Sequence, residues 1–278
     1  YDLYETDVAA GIRTNTKQLI AKGALTEEEL ASRLSRISFT TDLDSELVRR
    51  ADLVIEAVFE DMKIKRDIFA KLEARCRPDT IFCTNSSVMS PSEISAELQH
   101  RERFVGTHFW NPGHLIPLVE VVKSDASSDE VAQTVMDVFA SAGKEPVLCK
   151  KDVPGFIANR MQHALWREAI SIVERGIADA ATVDKAVRYS FGLRLPQLGP
   201  MENADMVGTD LTYNIHDYIL KDLEDSHEPS PLLKKLRGEG KIGFKTGEGF
   251  QTWTPGQIKA SNEGLNDYLV DMLYGKKK

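Results

Sequence analysis

Residues 52–84 read DLVIEAVFEDMKIKRDIFAKLEARCRPDTIFCT. The stretch opens on a continuous apolar run, Asp52–Val58, of the kind shown by a strand buried on both faces. From Asp61 to Arg75 the pattern turns helical and amphipathic, with Ile64, Ile68 and Leu72 on one face. Thr80–Thr84 is a second short strand-like run. A strand, a crossover helix and a strand within roughly 30 residues form the repeating unit of a parallel sheet.

Outward from this unit the alternation continues both ways. Toward the N-terminus, Tyr1–Glu5 is strand-like. Helices are expected at Val8–Ala21 and Leu25–Leu34, the second opened by a capping box of Thr26 and Glu29. A strand at Ile37–Thr40 and a short helix at Asp42–Arg49 lead back to Asp52. Toward the C-terminus come a helix at Pro91–Leu98, strands at Phe104-Val105 and Leu118-Val119, a helix at Ser128–Ala142 and a strand at Pro146–Leu148. This order predicts an α/β fold, a largely parallel sheet with helices on both faces. The pattern changes at Asp152-Val153-Pro154-Gly155. Beyond it the chain is nearly all helix: Phe156–Gly176, Ala181–Phe191, Met201–Leu220 and Pro231–Gly238. A polar tail of weak helical character follows from Pro255. Two domains are expected, 1–152 and 153–278. The chain starts at Tyr1 rather than Met, on a strand, so a βα unit missing from this chain is expected upstream.

The 278 residues suffice for two ordinary domains. Acidic residues number 43 against 35 basic, a formal charge of -8. That argues against nucleic acid as a partner, since binding it needs a basic face. No apolar run approaches membrane-spanning length. Three scattered cysteines, Cys76, Cys83 and Cys149, form neither a disulfide framework nor a zinc spacing, so a reducing, cytoplasmic setting is expected.

Gly106–Val121 reads GTHFWNPGHLIPLVEV. If its two flanking strands pair, the midpoint of His108 and Glu120 falls at His114, in the loop around Asn111-Pro112-Gly113. The imidazole then faces the carboxylate at a strand end, the placement of a general base and its orienting group. A loop histidine and a solvated glutamate are the plain alternative. Ligands of open α/β sheets sit at the carboxyl ends of strands. Glu60 and Lys65 follow one such end, Thr84-Asn85-Ser86-Ser87 another, and His108 a third. Ordinary readings stand beside these: a helix-start acid matched to the dipole, a solvated lysine, and a helix cap. Asn159, early in the helix after Gly155, is either a helix-start polar residue or a group reaching the interdomain cleft.

The one G-x-G-x-x-G, Gly238–Gly243, follows a helix, whereas a dinucleotide fingerprint must follow a strand and open a helix. A true fingerprint belongs ahead of Tyr1. Glu5, at the end of the first strand, is then the candidate for a ribose hydroxyl, against an ordinary strand-end glutamate. Ser87 lacks the G-x-S-x-G elbow of a hydrolase. His108, His114 and Glu120 lack helix-borne metal-ligand spacing, and no metal is expected.

In their order and spacing, ADLVIEAVFEDMKIK, TNSS, GTHFWNP, PLVEVV, KDVPGFIANR, the GP and D-x-V-G of GPMENADMVG, and GKIGFKTGEGF resemble the L-3-hydroxyacyl-CoA dehydrogenase family, from Tyr1 to about Trp253. The resemblance implies a Rossmann-like NAD-binding domain, then a helical domain forming much of a homodimer interface. It implies NAD-dependent oxidation of the 3-hydroxyl of a 3-hydroxyacyl-CoA or related acid. It makes His108 the catalytic base and Glu120 its partner, with Ser87 and Asn159 on the substrate oxygen. Glu5, Glu60, Lys65, Ser87, Asn111 and Lys245 match positions that line the cofactor. Histidine suits the task, with an unperturbed pKa of about 6.5, and a carboxylate on its other nitrogen fixes the tautomer.

The chain also departs from the family pattern. Glu5 stands where Asp is frequent, GLRLPQLGPMEN is longer than the common turn, and NPGHLIP differs from the commonest loop. Relatives with such variations act on 3-hydroxy acids without CoA. No lysine matches a CoA-binding motif, though Lys17 and Lys22 lie in the right region. Rival readings are a cofactor-less binding relative of the fold and a domain cut from a multifunctional β-oxidation protein. The lysine-rich ending argues for a stand-alone chain.

Overall fold

The computed structural model describes residues 5–275. In chain order the elements are α1 (Glu5–Ala21), α2 (Glu27–Leu34), α3 (Glu46–Arg49), β1 (Leu53–Glu56), α4 (Met62–Glu73), β2 (Ile81–Thr84), α5 (Pro91–Ile94), β3 (Phe104–Phe109), β4 (Leu118–Lys123), α6 (Asp129–Ser141), β5 (Glu145–Cys149) and α7 (Ala158–Glu174). Then come α8 (Ala180–Arg188), α9 (Phe191–Arg194), α10 (Pro200–Val207), α11 (Thr209–Ile219), α12 (Pro231–Gly238) and α13 (Pro255–Tyr274). One compact unit runs to Arg160 and takes in the chain from Glu263; the other is Met161–Asn262. The units therefore part inside α7, whereas the expected division at 152/153 lies in the turn ahead of it.

In the first unit the strands lie in the order β1-β2-β3-β4-β5. All neighbours are parallel except β3 and β4, which form an antiparallel pair. Side chains alternate across a strand, and the alternation divides two cores. Phe82 and Phe104 pack on one face with Phe69, Leu72, Ile94 and Leu98 from α4 and the α5 region. Cys83 and Val105 face the other way, onto Ala132, Val135 and Phe139 of α6. Helices thus cover both faces of the sheet. Asp61, Ser90 and Ser128 each cap the helix that follows, accepting a backbone N–H from three residues on. The capping box of Thr26 and Glu29 is formed at α2.

Several expectations change. Tyr1–Tyr4 of the anticipated first strand lie outside the described residues, and Glu5 begins α1. Ile37–Thr40 is irregular: β propensity makes a strand only where a ladder partner exists, and none pairs with it among the described residues. β1 is only partly covered, with Ile55 exposed, because it is the edge of the described sheet. The buried stripe of α4 is Lys65, Phe69 and Leu72, while Ile64 is exposed. The helix expected over Met201–Leu220 breaks into α10 and α11 at Gly208, whose φ of 103° interrupts helical geometry. The polar tail is a 20-residue helix. Its Leu269 and Val270 pack with Leu19, Leu25, Leu30 and Leu115, and Asp267 accepts from Gln18 at 2.7 Å.

Candidate active site

β3 and β4 pair in the register that sets His108 opposite Glu120. Both side chains are buried, and His108 Nδ1 lies 2.8 Å from Glu120 Oε2. Trp110 Nε1 donates to the same oxygen at 3.2 Å. The other oxygen accepts the backbone N–H groups of Ile157 and Ala158, each at 2.9 Å. These amides belong to the start of α7, where helix donors have no intrahelical partner. Burial pushes the Glu120 carboxyl up, but hydrogen bonds from His108, the two amides and Trp110 outweigh it and hold the carboxyl below its ordinary value. An ionised acceptor at Oε2 requires the proton on Nδ1, which leaves Nε2 as the free acceptor.

The rings of Trp110 and Phe156 both lie 5.7 Å from the imidazole. Gly155 (φ 77°) and Phe156 (φ 49°) are consecutive left-handed residues. They turn the chain so that the next two amides meet Glu120. A non-glycine there carries strain of about 1–3 kcal/mol, held in place by a ring that is almost fully buried.

A second polar cluster occupies the carboxyl ends of β1 and β2. Lys65 Nζ sits 2.8 Å from Glu56 Oε1 and 3.2 Å from Glu60 Oε2. Glu56 also accepts the Val58 N–H at 2.6 Å and the Thr84 hydroxyl at 2.7 Å. Glu60 accepts from the Ser86 hydroxyl and from the N–H groups of Ser87 at 3.2 Å and Val88 at 3.4 Å. Burial raises the Glu60 carboxyl, and the Ser86 hydroxyl and Lys65 ammonium more than reverse that, leaving it below the ordinary value. The solvated alternative for Lys65 does not hold: its ammonium is buried between two carboxylates.

Ser87 is exposed. Asn85 Oδ1 accepts the Phe109 N–H at 3.1 Å, fastening the TNSS turn to the residue after His108. Asn111 is exposed in the β3–β4 loop, and Asn159 is the half-buried second residue of α7, beside the amides that Glu120 accepts. Lys245 belongs to the second unit, where it lines a hollow of about 520 Å³ with Phe244 and Trp253. Nothing is described of the Glu5 side chain. His114 is exposed; partial burial, then the Lys144 ammonium, lower its pKa. Lys144 itself donates to the carbonyls of Gly113 at 2.6 Å and Ile116 at 3.0 Å. Lys22 bonds Asp271 at 2.7 Å and lies 3.2 Å from Asp267. Among the described residues no three His, Cys, Asp or Glu side chains gather to hold a metal ion, and no helix is long and apolar enough to cross a membrane. The Cys83 thiol, pushed up to about 12 by burial, is unreactive.

Sequence reasoning missed Glu56, Trp110 and Phe156. Glu56 had a signal, a charge inside a buried apolar run, which demands a partner. The left-handed turn at Phe156 had none beyond the adjacent Gly155.

Known proteins match across this chain. Residues 4–153 match the family described as 3-hydroxyacyl-CoA dehydrogenase, NAD binding domain, and residues 155–253 match its C-terminal domain. The 5-formyl-3-hydroxy-2-methylpyridine 4-carboxylate 5-dehydrogenase of Mesorhizobium japonicum is 36% identical, over 81% of this chain and 72% of that protein. Human mitochondrial hydroxyacyl-coenzyme A dehydrogenase is 37% identical, over 87% of this chain and 77% of that protein. A crystal structure of a 5-formyl-3-hydroxy-2-methylpyridine 4-carboxylic acid 5-dehydrogenase, described as an NAD+-dependent dismutase, superposes with a TM-score of 0.81 at 31% identity, covering 92% of both chains.

Proposed function

The chain belongs to the 3-hydroxyacyl-CoA dehydrogenase family, an NAD-dependent oxidoreductase with a Rossmann-like domain followed by a helical one, and from that premise we propose that it reversibly oxidises the 3-hydroxyl of a 3-hydroxyacyl substrate with His108 as base and Glu120 as its partner. The observation that carries the reading is the buried His108–Glu120 contact, with the carboxylate ionised by four donors. Nε2 of His108 accepts the hydroxyl proton, and Glu120 stabilises the imidazolium that results. Ser87 and Asn159 donate to the oxygen when the keto compound is reduced.

NAD, when bound, accepts the hydride. The residues at the strand ends suit it: an ionised Glu60 can accept from ribose hydroxyls, and the exposed Ser87 supplies a donor. Asn111, Lys245 and Glu5 complete the set that would hold it, and Lys65 acts through Glu60. We take 1–152 as the cofactor half and 153–278 as the helical half; the family matches over 4–153 and 155–253 support the boundary, whereas the chain from Glu263 falls in the first compact unit.

His108→Gln is expected to lower kcat by about 10²–10⁴-fold with unfolding unchanged. A variant that keeps wild-type turnover sinks the mechanism.

A second reading, a free 3-hydroxy acid as substrate, is favoured by one of the relatives above. The Mesorhizobium relative is named for a pyridine carboxylate. Rates on 3-hydroxybutyryl-CoA beside free 3-hydroxy acids separate the two: preference for the thioester removes the second reading. Under that reading, Lys22→Ala leaves the KM for the acid unchanged.

The protein acts as a homodimer through its helical half, where Leu193, Met201, Met206, Tyr213 and Tyr218 are strongly exposed. Light scattering that finds a monomer at micromolar concentration refutes this. A reducing, cytoplasmic setting is consistent with the three free cysteines.

A further inference from the structure

We propose that Glu56 is a positioning residue: through Lys65 it fixes Glu60, the carboxylate that meets the cofactor. The inference rests on the assignment of Glu60 to the cofactor made above.

Glu56 ends β1 and is 4% exposed, so it has no surface for a ligand. Its two oxygens accept from the Val58 N–H, the Lys65 ammonium and the Thr84 hydroxyl. The ammonium is as deeply buried as Glu56 and lies closer to Glu56, at 2.8 Å, than to Glu60, at 3.2 Å. That ranking matters. A buried ammonium with Glu60 as its sole anion would draw that carboxylate inward, because an unpaired buried charge is costly. Glu56 balances the ammonium first. Glu60 then touches Lys65 with one oxygen and keeps the other on the Ser86–Val88 turn, with 38% of its side chain still exposed. The same turn carries Asn85, which is bonded to the Phe109 N–H next to His108. Glu56 therefore sets where Glu60 stands and, through the turn, how the carboxyl ends of β1 and β2 meet β3.

The test is Glu56→Gln in the full-length protein, with both substrates varied. The amide keeps the shape and an acceptor oxygen but removes the charge, so Lys65 is left to Glu60. The expected result is a rise of about tenfold in KM for NAD, while KM for the hydroxy substrate and kcat at saturating NAD change by less than about threefold. Glu60→Gln runs in parallel and is expected to raise KM for NAD as well. If Glu60→Gln leaves that KM unchanged, the cofactor assignment of Glu60 fails and the proposal falls with it. If Glu60→Gln raises it and Glu56→Gln does not, the assignment stands and the proposal is overturned. A Glu56→Gln variant that loses only kcat, as a smaller active fraction would, also overturns it. Should Glu56→Gln fail to fold, Glu56→Asp decides, since it keeps the charge and draws the carboxylate back from the Lys65 ammonium. A raised KM for NAD there supports positioning through the ammonium, and an unchanged one refutes it.

Discussion

Glu120 satisfies four donors with two oxygens, and Gln at that position can satisfy only part of them. Its amide nitrogen would face N–H donors on one side or the other. Glu120→Gln is expected to cost about 3 kcal/mol in urea unfolding, within the range for breaking a buried charged pairing, and to cut turnover with it. The pH dependence has a definite sign. The folded carboxyl titrates below its ordinary value of 4.5, so its contribution is present above that value. The contribution is lost as pH falls from there through the lower, folded pKa. Unfolding series from pH 7 to pH 3 should show a steeper loss in the wild type than in Glu120→Gln. Phe156→Ala removes a buried ring from beside the imidazole and is expected to cost about 3–5 kcal/mol, measured the same way. A stability loss below 1 kcal/mol would show that the site collapses around the smaller side chain.

β3 depends on a glycine as well as on its apolar residues. A Cβ at Gly106 would come within 2.9 Å of Pro91 Cγ and 3.1 Å of Val122 Cβ. Gly106→Ala should therefore push α5 off the sheet and destabilise by about 1–3 kcal/mol. Because the displaced strand carries His108, kcat should fall too; a variant of wild-type stability and rate would show that α5 yields freely. At this scale much was legible. The capping box that opens α2 was legible in Thr26 and Glu29, and the register of β3 on β4 was legible once the two strands were taken to pair. The buried face of α4 was not legible, because Ile64 and Lys65 are neighbours one helical step apart. Only the two carboxylates at the strand ends explain why the lysine, and not the isoleucine, turns inward.

In the whole molecule the last helix closes the core formed by the first two. Val270 is buried among Leu19, Leu25, Leu30 and Leu115. Val270→Asp places an unpaired carboxylate there and is expected to cost about 3–4 kcal/mol. Hydrogen exchange should then show α1 and α2 opening first; protection unchanged in both helices would mean that α13 is dispensable to them.

The sequence by itself determined the alternation of strands and helices and the change to helix after Pro154-Gly155, and it set His108 opposite Glu120 on the condition that the two flanking strands pair. Each is a local pattern, a matter of period and spacing along one stretch of chain. The tertiary structure alone decided the rest. It decided that a polar tail becomes a packed helix, because its partners, Gln18, Leu19 and Lys22, lie at the other end of the chain. It made Glu120 a cap for α7 as well as the partner of His108, since Ile157 and Ala158 reach it only through a left-handed turn. It also made Lys65 an internal ion between Glu56 and Glu60. A charge's partners are chosen by the packing of separate elements, and no periodicity within one element records that choice.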